Sequence, residues 1–371
     1  MEKVAVIQAQ SMVSLTHPEK GITTGGTQRY AIQLAKLMKE KGYQVHIIAR
    51  ANKPYPAFAF AYGQIVIVAA PLGVWGDYRY SKSIFEYCTE HHADFVCYVD
   101  LMSARWFCYP GSIALQHGIG WDGPLKLRSK IKRFLYTREY LKAIQKFEKI
   151  VCVDTNFINW ARENDPHFFE KPEKYYYLPN FADESLFPYS YSEWTEDMEF
   201  VLLYPRRLVA YRGYKIFIDM CEALKAKGYR IHPVLAFEEN ASDDYKALFA
   251  DKLCDYEIIH PGLEEIAKEY QRAFLTYVPT IWSEGTSLSA IESICSGCPV
   301  LCSNVGGLGN VMIPGFTGEI VSPTVDEFVK ATEEVLLHPE IRNRWAKNCE
   351  NLRKSFTCDN WNKKFLDYLE K

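Results

Sequence analysis

Two glutamates, Glu284 and Glu292, lie eight positions apart in the stretch Ile281-Trp-Ser-Glu-Gly-Thr-Ser-Leu-Ser-Ala-Ile-Glu-Ser-Ile-Cys-Ser-Gly-Cys-Pro-Val. The apolar, β-branched and aromatic run Ala273-Phe-Leu-Thr-Tyr-Val-Pro precedes it and reads as a buried strand. Ala290, Ile291, Ile294 and Cys295 follow at helical spacing, stopped by Gly297 and Pro299. The segment is therefore a strand–loop–helix corner, with Glu284 in the loop and Glu292 about two turns into the helix. Gly285, Thr286 and Ser287 place small residues at the helix start, where the first N–H groups lack intrahelical partners and attract an anion. A carboxylate beside such an anion site suits hydrogen bonding to sugar hydroxyls.

Three further loops carry groups of matching chemistry. Pro205-Arg206-Arg207-Leu-Val-Ala-Tyr-Arg212-Gly213 joins a predicted strand to a predicted helix, and Arg207 and Arg212, five apart, suit a diphosphate through bidentate guanidinium bonds. Gly25-Gly26-Thr27-Gln28 precedes the first long helix, where glycines let a backbone approach a ligand at the helix start. Gln116-His117-Gly118-Ile119-Gly120-Trp121 follows a predicted strand, and loops at that end of a doubly wound sheet face the ligand crevice. There His117 can donate to a sugar hydroxyl or to a departing phosphate oxygen. The other eight histidines show no ligand spacing, and His91-His92 reads as a helix end.

The corner resembles the Glu-x7-Glu signature of retaining family 4 glycosyltransferases of the GT-B fold. The resemblance implies that Glu284 lies against the donor sugar and that Glu292 accepts hydrogen bonds from the ribose hydroxyls. It also implies that the amides of Gly285, Thr286, Ser287 and Leu288 hold the sugar and diphosphate. Thr286-Ser287 stands where the family more often has Phe-Gly. Arg207 matches the arginine of the family's Arg-Leu-x-x-x-Lys-Gly element, with Arg212 in place of the lysine. Gly25 and Gly26 match a Gly-Gly pair facing the donor diphosphate and the acceptor, and His117 matches a histidine approaching the transferred sugar. Pro179-Asn180-Phe181-Ala182-Asp183 is similar to a Pro-Asn-Gly-x-Asp element, with Phe181 replacing glycine. Asn304-Val-Gly-Gly-Leu-Gly309 resembles a Val-Gly-Gly loop at the cleft.

From this resemblance follows an α/β chain of GT-B fold, two Rossmann-like doubly wound domains facing a central cleft. Residues 1–185 form the acceptor-binding domain, residues 186–355 the nucleotide-sugar-binding domain, and residues 356–371 a helix crossing back toward the first. The implied activity moves a hexose-type sugar from a nucleotide-diphosphate sugar to a glycan or lipid-linked saccharide with retention of configuration. No Asp-x-Asp occurs, so arginines rather than a metal ion are expected to carry the phosphate charge, with no cofactor. Two rivals share the donor site: a GT-B nucleotide-sugar 2-epimerase, and a non-catalytic sugar-nucleotide-binding subunit. Gly262 to Ile266 is the stretch where base contacts are sought.

The rest of the sequence sets outer bounds. A chain of 371 residues, 48% hydrophobic and 24% charged, suits two globular domains that each bury a core. Residues 1–185 carry 23 Lys and Arg against 18 Asp and Glu, and the remainder 20 against 28. The basic half suits an anionic acceptor or surface, while the acidic half needs local cations to hold a phosphate. Residues 126–149 form a basic amphipathic stretch, with Lys126, Arg128, Lys130, Lys132, Arg133, Arg138, Lys142, Lys146 and Lys149 beside Phe134, Leu135, Leu141 and Ile144. This is expected to favour peripheral contact with the inner membrane surface. Nucleic-acid binding is disfavoured, since the chain is slightly acidic and carries no motif for it. Eleven cysteines scattered in apolar segments read as reduced thiols of a cytoplasmic protein, with neither a zinc ribbon nor a redox pair expected. No signal peptide or membrane span is read.

These motifs need strands and helices in alternation to hold them. Strands are predicted at 4–8, 44–49, 65–69, 95–99, 113–116 and 150–153, with helices at 27–41, 81–91 and 129–149. This is a βαβ series and hence a parallel sheet, but without the G-x-G-x-x-G of a nicotinamide or flavin site. The loop 11–24 is long enough to form an acceptor-side lid. A polar, aperiodic linker is predicted at 189–199. Beyond it a second series runs through strands at 200–204, 230–236, 257–260 and 300–303, with helices at 214–227, 241–252, 266–271 and 325–337.

Overall fold

The computed structural model describes residues 2–23, 25–120, 129–195, 197–237, 245 and 248–371, the side chains of 129–132 excepted. The chain forms two units, the first drawn from residues up to 117 and most of 129–177, the second from residue 178 onward. Residues 118–120 and 153–156 also belong to the second.

The first unit is built on β1 (Lys3–Gln8), α1 (Gly26–Glu40), β2 (Tyr43–Ala51), β3 (Phe58–Phe60), β4 (Gly63–Ala69), α2 (Val74–Glu90) and β5 (Phe95–Tyr98). It continues with β6 (Ile113–Gln116), α3 (Ser129–Ile144), β7 (Lys149–Cys152), α4 (Thr155–Asn164) and β8 (Tyr175–Tyr177). The sheet order is β3-β4-β2-β1-β5-β6-β7-β8, parallel throughout except where β3 turns back along β4. Central strands are apolar on both faces because helices cover both sides: Ala5, Val6 and Ile7 are fully buried. The chain runs from β1 to β2 on one side and reaches β5 on the other. The sheet therefore has a switch point between β1 and β5, where ligand crevices form at the carboxyl ends of strands.

Three elements of this unit were not predicted. β3 and β8 are only three residues long, too short for a period to show, and α4 has ten. The helix predicted from 81 starts instead at Val74. Its first turns leave Val74 68% and Trp75 85% exposed, so they carry no amphipathic signal.

The second unit contains β9 (Phe200–Tyr204), α5 (Tyr214–Ala226), β10 (Ile231–Ala236), β11 (Glu257–Ile259), α6 (Leu263–Arg272) and β12 (Leu275–Val278). It ends with α7 (Leu288–Ser296), β13 (Val300–Ser303), β14 (Gly318–Val321), α8 (Val325–Leu337), α9 (Pro339–Leu352) and α10 (Cys358–Glu370). All pairs are parallel in the order β11-β10-β9-β12-β13-β14, which puts the switch point between β9 and β12. Half of the helix predicted at 241–252, six of twelve residues, lies outside the described residues. The aperiodic segment before β9 is strapped down rather than loose. The buried Arg342 of α9 donates to Ser192 O at 2.9 Å and Phe274 O at 3.1 Å, and Asn343 makes both backbone bonds to Trp194. In α10, Trp361 stacks on Phe365 and packs on Phe181, so the residue replacing the motif glycine has a core role.

The eleven cysteines are all unpaired. Cys295 and Cys298 do stand at C-x-x-C spacing, at the end of α7. Burial pushes the Cys295 thiol up to about 12 and raises that of Cys298, the reverse of what a redox pair requires. Among the described residues no helix is long and apolar enough to cross a membrane.

Candidate functional site

At the switch point of the second unit, the loop after β9 carries the arginines and the loop after β12 carries Glu284. Three donors converge on Glu284 Oε2: Arg206 Nη2 at 2.6 Å, Thr280 Oγ1 at 2.8 Å, and Arg212 Nη1. Arg206 Nη1 also donates to Thr280 Oγ1. Burial alone would raise the Glu284 carboxyl, but the two guanidinium charges and their hydrogen bonds hold it below its usual range. Arg212 is also pulled down by burial, yet Glu284 raises it above its ordinary value. Its guanidinium lies 5.0 Å from the centre of the Tyr211 ring, and Tyr204 donates its hydroxyl to Arg207 O and Arg212 O at 3.2 and 3.3 Å. Two cations facing one carboxylate leave the cluster one positive charge in excess. Among the described residues no donor is bonded to Glu284 Oε1.

The backbone around this cluster is tightly constrained. Ser283 holds φ 57°, a conformation uncommon outside glycine and concentrated at functional sites. Gly213 has φ +80°, and a Cβ there would meet Pro279 O at 1.8 Å. A Cβ on Gly306 would stand 2.0 Å from Glu284 O, while Gly307 N donates to that same oxygen at 2.9 Å. Gly213 thus lets the loop after β9 close on Pro279, and Gly306 lets the loop after β13 close on the backbone of Glu284.

The helix start on the other side of Glu284 is less closed. Ser287 is the N-cap of α7, its side chain makes no cap bond, and its buried Oγ has no hydrogen-bond partner among the described residues. A buried hydroxyl left without a partner beside the free amides of a helix start is a place for an anion's oxygen. Thr286 points elsewhere. Its Oγ1 donates to Val153 O at 3.1 Å and accepts from Asn180 N at 3.0 Å, while Asn180 Nδ2 donates to Thr286 O. The Thr286 side chain is therefore a staple of the loop, and Asn180 of the Pro-Asn element is its partner. Glu292 is buried in α7 and accepts from Tyr270 at 3.0 Å.

The structure thus brings Glu284, Arg212, Gly285, Ser287 and Leu288 to one place. It adds Arg206, which the motif match passes over. Arg206 has a side chain only 7% exposed, whereas Arg207 is turned to solvent on the same loop. Thr280 and Glu284 hold the Arg206 side chain inward by hydrogen bonds, and the next residue on the bend, Arg207, is left facing outward. Gly262 N, in the stretch considered for base contacts, is bonded to Glu265 Oε2 at 2.8 Å.

Gly25, Gly26 and His117 lie in the first unit. Gly25 caps α1, Gly26 opens it, and Tyr30 one turn later meets the His117 ring edge-on at 5.1 Å. His117 Nε2 is enclosed and has no hydrogen-bond partner among the described residues; burial lowers its pKa from 6.5 to about 4. The imidazole is therefore neutral near pH 7.

Two family models match the chain: Glycosyltransferase Family 4 over residues 24–186 and Glycosyl transferases group 1 over residues 192–352. Sucrose-phosphate synthase from Thermosynechococcus elongatus superposes with a TM-score of 0.79 at 16% identity, covering 98% of each chain. HepE of Anabaena, in complex with UDP and glucose, gives 0.72 at 14% identity over 100% of each. The fold is GT-B, as predicted. The sequence matches thus fall on two glycosyltransferase families, one in each half of the chain. A D-inositol 3-phosphate glycosyltransferase of Nocardiopsis dassonvillei is 33% identical over 84 residues, a match spanning 22% of this chain and only 19% of that protein.

The His117 environment has a measurable consequence. Between pH 6.5 and about 4 the unfolded chain takes up a proton that the folded chain refuses, so stability present above this window is lost as pH falls through it. The melting temperature of His117→Gln should therefore decline less steeply than the parent's across that window. Equal slopes would show that the ring is not held neutral.

Proposed function

We propose that the protein transfers a hexose-type sugar from a nucleotide-diphosphate sugar to a glycan or lipid-linked saccharide, with retention of anomeric configuration and without a metal ion or cofactor. The observation that carries this is the Arg206–Glu284–Arg212 cluster at the β9/β12 switch point, one positive charge in excess within an otherwise acidic half. A diphosphate suits that excess, the unpartnered Ser287 hydroxyl and the α7 helix start together. A nucleotide-sugar donor has further support in a related fold, since HepE of Anabaena was solved with UDP-glucose.

In this reading Glu284 has two jobs. Its Oε2 orients the guanidinium groups, and its Oε1 remains to accept from a hydroxyl of the donor sugar. As the glycosidic bond breaks, charge gathers on the β-phosphate, where the two arginines and the α7 amides are already fixed, so little reorganisation is needed. Arg207 stands exposed on the same loop as a further phosphate contact, and Glu292 accepts from the ribose hydroxyls. Gly25, Gly26 and a neutral His117 serve the transferred sugar and the acceptor. His117 then acts as a hydrogen-bond donor rather than as a cation.

Peripheral membrane contact is supported by α3. Ile144 is buried as core, but Phe134 is 69% and Leu135 51% exposed, next to exposed Arg133 and Arg138. Lys146 is already occupied, donating to the carbonyls of Ala104, Arg105 and Trp106. Lys126 and Arg128 lie outside the described residues.

Two experiments follow. Removing one fixed donor from an oxyanion costs about 10²–10³ in rate, so Arg212→Ala should lose roughly that much turnover of the accepted nucleotide sugar, with EDTA making no difference. Activity that requires Mg²⁺ or Mn²⁺ would contradict the metal-free reading, and an inverted anomeric proton in the product's NMR spectrum would contradict retention. In sedimentation with phosphatidylglycerol vesicles, the paired change Phe134→Ser and Leu135→Ser should release the protein. Equal sedimentation of variant and parent would remove α3 from the membrane contact.

A further inference from the structure

The first unit holds a cavity of about 200 Å³ at its own switch point, lined by residues that no sequence motif selects. Gln10 follows β1, Arg50 lies near the end of β2, and Asp100 follows β5; Asp77 of α2 and Arg105 close the sides. The volume falls below the ~300–1,000 Å³ of pockets for drug-sized ligands and suits a single small ring.

The polar groups are fixed before any ligand arrives. Arg50, its side chain 3% exposed, donates to Ala70 O and Pro71 O, each at 2.6 Å, and to Asp77 Oδ1 at 2.7 Å. That pins the Asp77 carboxylate, which stays 39% exposed. Asp100 is pinned by Met102 N at 3.1 Å, Gln10 Nε2 at 3.1 Å and Ser103 Oγ at 3.2 Å. Arg105 is different. Its guanidinium stacks 3.6 Å from the centre of the Trp106 ring and comes no closer to Asp77 than 3.9 Å, and its buried Nε has no hydrogen-bond partner among the described residues. The lining therefore offers oriented carboxylate acceptors, an unsatisfied guanidinium donor and aromatic surface from Trp106 and Tyr136. Two arginines against two aspartates leave it without a strong bias toward either sign of charge.

We propose that this cavity is a saccharide subsite that takes an uncharged sugar ring, whose hydroxyls donate to Asp77 and Asp100 and accept from Arg105. Resting on the transferase reading, the ring is the part of the acceptor that is held while a neighbouring hydroxyl receives the sugar. A hydroxyl both donates and accepts, so one ring can satisfy both kinds of group. A phosphate could use Arg105 but would face two carboxylates. Tyr78, packed edge-on to Trp106 at 5.9 Å and 38% exposed, extends the aromatic rim toward solvent.

The test uses the full chain and saturation-transfer NMR with methyl glycosides of glucose, galactose, mannose and N-acetylglucosamine, alongside glucose 6-phosphate. At least one methyl glycoside should bind saturably, and Arg105→Leu and Asp77→Asn should each weaken it at least about tenfold. Asp77→Asn also alters the partner of buried Arg50, so Arg105→Leu is the second, independent variant, and its melting temperature is compared with the parent's. Pyrophosphate affinity and nucleotide-sugar hydrolysis are measured on the same samples. If these persist while no methyl glycoside binds, or while binding survives both substitutions, the subsite is overturned and the transferase reading is left standing. Binding of glucose 6-phosphate alone, lost in Arg105→Leu, would overturn the uncharged class. Saccharide binding without any donor hydrolysis would count against the transferase reading instead.

Discussion

Two guanidinium groups share one buried carboxylate oxygen in the second unit, and the neighbouring loops are shaped to make that sharing fit. Burying a carboxylate is costly unless it is paired and hydrogen-bonded, and removing one partner of such a pair typically costs about 3–5 kcal/mol. Arg206, Arg212 and Thr280 all meet at Glu284 Oε2. The positive φ of Gly213 and Gly306 then reads as a requirement of that meeting, because side chains there would drive apart the backbones that bring the three groups in. The cluster binds the loop after β9 to the loop after β12, on either side of the switch point. It also leaves one positive charge uncompensated, in a half of the chain that is otherwise acidic.

The two sheets obey the same rule with different chemistry. Each has its strands parallel around the point where chain order reverses, and each places its polar, fixed side chains at the carboxyl ends of the strands flanking that point. In the second unit these are mainly cations facing a carboxylate at a helix start, which suits an anion. In the first they are balanced carboxylates and guanidinium groups over an aromatic ring, which suits hydroxyls. The difference lies in the loops, since both sheets are apolar runs of similar composition covered on both faces.

Much of the second unit was legible because its signals are local. Glu284, Ser287 and Arg212 sit where strand, small-residue loop and helix start can be read from residue types alone, and β9, β13 and α8 lie where the apolar periods put them. Arg206 was not legible. Two arginines in succession look alike in sequence, and the choice between them is made by Thr280 and Glu284, more than seventy residues away. The roles of Thr286 and Asn180 depend in the same way on a contact across 106 positions. In the first unit, α2 was read short because its exposed first turns carry aromatic residues where polar ones would mark an outer face. The Asp77–Arg105 cavity escaped because its residues come from five separate segments, none of which forms a motif.

The central claim is that Glu284 is an ionised anchor for two arginines whose surplus charge awaits a diphosphate. Thermal unfolding of Glu284→Gln, with and without inorganic pyrophosphate, tests it most directly. With the carboxylate gone, the two guanidinium groups repel in a part-buried setting. The variant should melt below the parent, and pyrophosphate should raise its melting temperature by more than it raises the parent's. A variant that melts with the parent and gains no more from pyrophosphate would contradict the claim, since Glu284 would then be neither holding the arginines nor offsetting their charge.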